Sequence, residues 1–170
     1  MALRALGQPG QCDLHVHRIA ARGGTAAWAF DEPLLFPSLG ATAFLFFETP
    51  MADVASPRNA IVGHLVAIAA AVVALSVFGF LDAPSAYESG VDPARIGAVA
   101  RAVALTGGTL RLLRAAHPPG GATTIIVSSG LLDEPVQLAA VVVGVLLLTA
   151  AGFALNRAMG VPAPIWRGLG

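Results

Sequence analysis

Apolar residues run in long blocks along the chain, separated by short clusters of charge, proline and glycine. The clearest block, "AIVGHLVAIAAAVVALSVFGFL" at 60–81, carries no charge. At a rise of about 1.5 Å per residue it is long enough to cross a hydrocarbon core of about 30 Å. Its start is well marked. Ser56 can cap it, Pro57 suits the first helical position, and Arg58-Asn59 fall at the interface. A second strong block, "VQLAAVVVGVLLLTAAGFAL", covers 136–155 and follows Asp133-Glu134-Pro135. A weaker one at 94–113 has Arg95 and Arg111 near its ends, where long side chains reach the interface. Its Arg101 is deeper and should face protein or a cavity. Residues 82–93, "DAPSAYESGVDP", read as an acidic, turn-rich loop.

Two further blocks are apolar but interrupted. Residues 34–47 are broken by Pro37 and Gly40, and "HPPGGATTII" from His117 opens an apolar run to Leu132. Prolines are not accommodated inside a regular helix, and glycines do not hold one rigid. "FPSLGATAFLFF" (36–47) aligns without gaps with "HPPGGATTIIVS" (117–128), pairing Pro37 with Pro118 and Gly40-Ala41-Thr42 with Gly121-Ala122-Thr123. Each is followed by a polar turn and a strong apolar helix, which predicts an internal repeat. Short, Gly/Pro-interrupted segments at matching places in two repeats point to a transport site. Irregular backbone at membrane depth is tolerated only inside protein or beside a wet cavity. A half-helix starting after the glycines would present free N–H groups and a positive dipole end, and two facing ends would hold a small anion. Thr42, Thr123 and Thr124 would add hydroxyl donors. The repeat offset places a partner for the 94–113 helix near 13–32, which is polar, so that first helix is expected to be missing or altered.

Composition agrees with the pattern. The 170 residues suffice for one domain; 56 % are hydrophobic and only 12 % charged, about half the usual share for a soluble protein. Mean hydropathy is +0.75. The expected fold is an all-α membrane protein, a small helical bundle containing two short broken segments. It would comprise a polar N-terminal segment (1–33), a transmembrane domain (34–156) and a tail (157–170). A net charge of zero gives no footprint for nucleic acid. The single cysteine, Cys12, excludes an intrachain disulfide and a cysteine-rich metal site. "DLHVH" at 13–17 has the Asp-then-His-x-His pattern that opens barrel-type amidohydrolase metal sites, but no barrel fits this length. His64 and His117 lie in hydrophobic segments, so no metal or cofactor is expected. Ser128 and Ser129 have no companion histidine at a readable spacing, and the chain is not expected to be an enzyme.

"HPPGGAT", with Arg114 three positions before His117, together with "PSLGATAFLFF" and "SPRNAIVGHLVA", resembles the HPP family of integral membrane proteins over roughly 33–155. The family is usually described as having four transmembrane helices, and its plastid and cyanobacterial relatives are associated with nitrite transport. The resemblance implies a small multi-pass protein of the plasma membrane or cell inner membrane, carrying nitrite or a similar small anion past the two GAT segments. The candidate site residues are His117, Gly120, Gly121 and Thr123 from the second segment, Gly40 and Thr42 from the first, Arg58, Asn59 and His64 from the helix between, and Arg114. His117 can bind a proton that accompanies the anion. The plainer readings are that His117 bonds a carbonyl at a helix end, Pro118, Pro119, Gly120 and Gly121 shape the backbone, Arg58 orients its helix, Arg114 pairs with lipid phosphate, and His64 bonds across helices. The alternative function is an accessory or vestigial membrane protein that transports nothing because its first helix is missing. Expected partners are membrane lipid, a small anion and a second copy of the chain, since three or four helices enclose little space. The arginine distribution favours the 82–93 loop outside and Arg58, Arg111 and Arg114 in the cytoplasm; a cytoplasmic tail then requires the His117 segment to cross, whereas a re-entrant segment would make the repeats parallel and leave the tail outside.

Overall fold

A computed structural model describes residues 36–166. These form α1 (Pro37–Glu48), a 3-10 turn at Asp53–Ala55, α2 (Pro57–Phe78), the single turn α3 (Ala86–Ser89), α4 (Pro93–Leu112), α5 (Pro119–Ser128) and α6 (Pro135–Ala158). Every α-helix among them except α3 starts on a proline, whose fixed φ suits the first turn and whose missing N–H costs nothing there. Side chains complete several starts. Ser56 accepts from the Asn59 N–H, Asp92 accepts from the Arg95 N–H, and Glu134 with Gln137 closes a reciprocal box. Gly79, at φ 73°, ends α2 in the left-handed conformation that glycine adopts without strain.

Among the described residues α2 and α6 are long and apolar enough to cross a membrane. At 22 and 24 residues they span about 33 and 36 Å. The two interrupted segments form shorter helices, 12 residues in α1 and 10 in α5. The break lies ahead of each helix, at Pro37 and at Pro118-Pro119, and the glycines sit within its first turns.

The burial pattern is that of a bundle in lipid. Large apolar side chains point outward, among them Leu65, Val73 and Val77 on α2 and Leu146, Leu147 and Leu155 on α6. The inward stripe of α2 is small and polar: Ala60, Gly63, His64, Ala67, Ala70, Ala71 and Ala74. Small residues at that spacing let neighbouring backbones approach closely, and α4 and α5 pack on this stripe.

The helices alternate in direction. Phe36, ahead of α1, packs beside Ala71, Val127 and Val141, whereas Phe46 near its end packs with Ala55 and Ala60 at the start of α2. α5 runs the other way, from Gly120 against Gly63 to Val127 beside Ala71 and Ala74. α1 and α5 are therefore antiparallel across the middle of α2.

Candidate functional site

Four side chains from four places in the chain meet on the inward face of α2. His64 lies about two turns into that helix, and its ring bridges the two interrupted segments. Its Nε2 is 2.9 Å from Thr42 Oγ1 of α1, and its Nδ1 is 2.8 Å from Thr123 Oγ1 of α5. These threonines are the pair that the segment alignment superposes. His117 joins from the connection between α4 and α5. Its Nε2 is 3.1 Å from the same Thr42 Oγ1, and its Nδ1 is 2.8 Å from the Val54 carbonyl oxygen in the 3-10 turn. The two rings stand edge to face with centroids 5.1 Å apart. Thr42 Oγ1 is also 2.9 Å from the Ser38 carbonyl oxygen, one turn back in α1. All four side chains are at most 2 % exposed, so each polar atom must find its partner within the protein.

Glycine makes this convergence sterically possible. A Cβ on Gly63 would lie 2.6 Å from His117 Cβ, and one on Gly120 would lie 2.8 Å from the Gly63 carbonyl oxygen. α2 and α5 thus touch backbone to backbone, and His117 fills the space that a side chain at 63 would take. A further layer of hydroxyls lies behind. Thr106 and Thr124 are paired at 2.9 Å, Thr124 donates to the Gly120 carbonyl, and Ser128 donates to the Thr124 carbonyl.

The connection carrying His117 is fastened to the start of α2. Arg58 donates to the carbonyls of Leu113 and Arg114 and to Asn59 Oδ1, and its guanidinium lies 4.9 Å from the Trp166 ring. Asn59 donates to the Asp53 and Ala116 carbonyls. Arg114 turns the chain at φ 50°. Beside this connection runs a groove of about 600 Å³. Thr106 and Arg111 of α4 line it, with Arg114, His117, Pro118 and Gly121, and among the described residues no acidic side chain does.

The family model described as "HPP, transmembrane region" matches residues 15–164. The chain belongs to the HPP transmembrane family. It is an integral membrane protein, as its family shows, and two of its helices are long and apolar enough to cross a membrane. The match begins earlier than the stretch on which the sequence resemblance rests. No curated protein and no solved structure matches the chain.

Within this HPP protein the candidate residues divide into groups. Thr42, His64, His117 and Thr123 form the buried cluster. Arg114, His117 and Gly121 line the groove. Gly120 provides the close helix contact. Arg58 and Asn59 fasten the His117 connection, with their polar atoms turned to backbone carbonyls. Gly40 lies on the exposed face of α1, with open space where its Cβ would be, and is apart from the cluster. The expectation of free N–H groups facing one another is corrected. The Gly120 and Gly121 N–H groups donate to the His117 and Pro118 carbonyls, and the antiparallel α1 and α5 start at opposite ends of their contact. Among the described residues no cluster of three or more His, Cys, Asp or Glu could hold a metal. Asp13, His15 and His17 lie outside the described residues.

Several participants escaped the sequence reading. Ser38 and the Val54 carbonyl act through backbone oxygen, which residue type does not advertise. Gly63 carried a usable signal, since it falls on the inward small-residue stripe next to His64. Arg111 was placed at the interface by its position near a helix end, and the groove it lines depends on the turn at Arg114.

Proposed function

We propose that this protein carries a small monovalent anion of the nitrite class across the plasma or inner membrane. The anion would enter the groove between Arg111 and Arg114 and move toward the buried cluster that joins the two GAT segments at His64. The observation that carries this reading is the groove itself: two arginines and a histidine, no acidic group among the described residues, and the start of α5 with its positive dipole end beside them. Like-signed walls around a low-dielectric cleft raise the local concentration of the opposite ion. The two short helices support an inverted repeat, because they are antiparallel and their aligned threonines take opposite nitrogens of one imidazole. That is the arrangement of transporters whose two halves surround a site at the bilayer midplane.

The test is uptake of nitrite by proteoliposomes containing the purified chain, against protein-free vesicles that report the passive leak of nitrous acid. His117→Ala and Arg114→Ala should lower uptake about tenfold or more, the scale of one lost charge-assisted contact. Uptake by the folded wild-type chain equal to the leak would overturn the reading. The alternative, an accessory membrane protein without transport, has one observation in its favour. The void beside His64 is only about 10 Å³, at the lower limit for a single water.

A further inference from the structure

The cluster of two histidines and one threonine has an unequal supply of protons, and counting them assigns each ring. Val54 offers His117 a carbonyl oxygen, which only accepts, so His117 Nδ1 carries the hydrogen. In the neutral ring His117 Nε2 is then bare and needs a donor, and the partner within reach is the Thr42 hydroxyl. Thr42 has one hydrogen. Given to His117, that hydrogen is not available to His64, so His64 Nε2 must itself donate to Thr42 Oγ1. His64 Nδ1 is bare in turn and accepts from the Thr123 hydroxyl. The neutral cluster is thus one directed chain: Thr123 to His64, His64 to Thr42, Thr42 to His117, His117 to Val54. The two histidines are opposite tautomers.

The same heavy atoms accommodate one more proton. If His117 Nε2 gains it, that nitrogen becomes a donor to Thr42 Oγ1. The Thr42 hydroxyl then rotates its hydrogen to the Ser38 carbonyl, already 2.9 Å away. Thr42 oxygen has two lone pairs and accepts from both rings. Every polar atom stays partnered in both forms. A proton bound at His64 Nδ1 makes that ring the cation, and it passes to His117 through Thr42: the His64 Nε2–H bond breaks as a new Thr42 Oγ1–H bond forms, and the original Thr42 O–H bond breaks as His117 Nε2–H forms. The step leaves His64 with its hydrogen on Nδ1 and reverses through the same bonds. One positive charge moves between the rings, and no atom or electron is left over. Two imidazolium ions with centroids 5.1 Å apart would repel strongly in a low-dielectric interior, so the pair takes one proton.

We propose that Thr42, His64 and His117 form a buried site for a single proton, with the Thr42 hydroxyl as the switch between its empty and loaded forms and as the relay between the rings. His117 is also part of the groove wall, which gives the proton its entry. Among the described residues the other ionisable groups near the pair are Arg58 of α2, Asp53 in the 3-10 turn next to Val54, and Arg111 and Arg114 along the groove. α1 contributes Thr42 and α5 contributes Thr123, and the α6 side chains beside His64 are Val142, Val145 and Leu146. Coupling of this proton to an anion rests on the proposed function; the proton site does not.

The experiment uses the full chain in lipid nanodiscs, labelled with ¹⁵N-histidine and carrying His15→Gln and His17→Gln so that two imidazoles remain. At high pH the spectra should show one Nδ1–H and one Nε2–H tautomer. On acidification the pair should bind one proton before any second. Thr42→Val removes the switch and should move the uptake midpoint by about one pH unit or more, while Thr42→Ser, which keeps the hydroxyl, should restore wild-type behaviour. Identical tautomers, simultaneous uptake of two protons, or a Thr42→Val titration matching wild type would each overturn the proton site. Proteoliposomes holding a pH dye then separate the two readings. Nitrite uptake with matching lumenal acidification that Thr42→Val abolishes supports coupling. Uptake without acidification overturns coupling alone, and no uptake overturns the anion reading while the spectra still decide the proton site.

Discussion

At the scale of single residues, the glycines separate by what surrounds them. Gly63 and Gly120 are where α2 and α5 touch, and a methyl group at either would meet an atom that cannot easily retreat. Gly63→Ala and Gly120→Ala should each lower stability by about 1–3 kcal/mol, the usual cost of overpacking. Thermal unfolding in detergent, followed by circular dichroism, would show it as a fall in Tm. Gly40 and Gly121 face open space, and alanine is the better helix former by up to about 1 kcal/mol. Gly40→Ala and Gly121→Ala should leave Tm unchanged or raise it. Gly121→Leu should instead project into the groove and reduce anion uptake without a matching loss of Tm. Equal Tm effects at all four positions would mean that the α2–α5 contact is looser than described. The sequence made Gly40, Gly120 and Gly121 look equivalent because each sits in a Gly-Pro cluster. What tells them apart is which helix lies opposite, and no local pattern carries that.

Among the elements, the long helices were readable and the short ones only in part. Blocks 60–81, 94–113 and 136–155 correspond to α2, α4 and α6 within a few residues, because proline starts and capping side chains are local signals. The interrupted segments were located, but their mechanism was misjudged. Proline next to glycine looks the same whether it leaves N–H groups free or tightens the turn so that they bond three residues back. A similar ambiguity surrounds Arg58. As a guanidinium beside a helix start it resembles an anion ligand, yet its donors hold the last carbonyls of α4 and the turn after them. Arg58→Ala should release the connection that carries His117 and cost about 0.5–1.5 kcal/mol, the scale of ordinary hydrogen bonds, because the two carbonyls are exposed and water can take them. Arg58→Lys should recover little of this, since an ammonium lacks the fork that reaches both carbonyls. A matching contact lies at the other short helix, where Asn156 of α6 donates to the Phe46 carbonyl near the end of α1 at 2.8 Å. Asn156→Leu leaves that buried acceptor unmatched and should lower Tm by a comparable amount. A variant of either kind that unfolds like wild type would remove the clasp from the account.

For the molecule as a whole, the question is where α5 takes the chain, because ten residues cover only about 15 Å. Contacts at its two ends answer it. Before α5, Leu113 and Arg114 are bonded to Arg58 at the start of α2. After α5, the Ser129 carbonyl accepts from the Ala86 N–H, and Gly130 sits against Ser85 and Arg95, beyond the far end of α2. The segment from His117 to Gly130 therefore travels most of the length of a membrane-spanning helix. It does so with a short helix because its first residues are already sunk beside Gly63. Charge is distributed accordingly. Among the described residues Asp82, Glu88, Asp92, Asp133 and Glu134 outnumber Arg95 at the α3 end, and Arg58, Arg111, Arg114 and Arg157 outnumber Glu48 and Asp53 at the other. By the positive-inside tendency the arginine end is expected in the cytoplasm. Single cysteines placed in a Cys12→Ser background would decide this. A membrane-impermeant maleimide added to intact cells should label Ser89→Cys and Asp133→Cys and spare Ala52→Cys and Met159→Cys until the membrane is opened. If Asp133→Cys is spared together with Ala52→Cys while Ser89→Cys reacts, the His117 segment turns back on its own side, and the contact of Ala86 with Ser129 cannot stand.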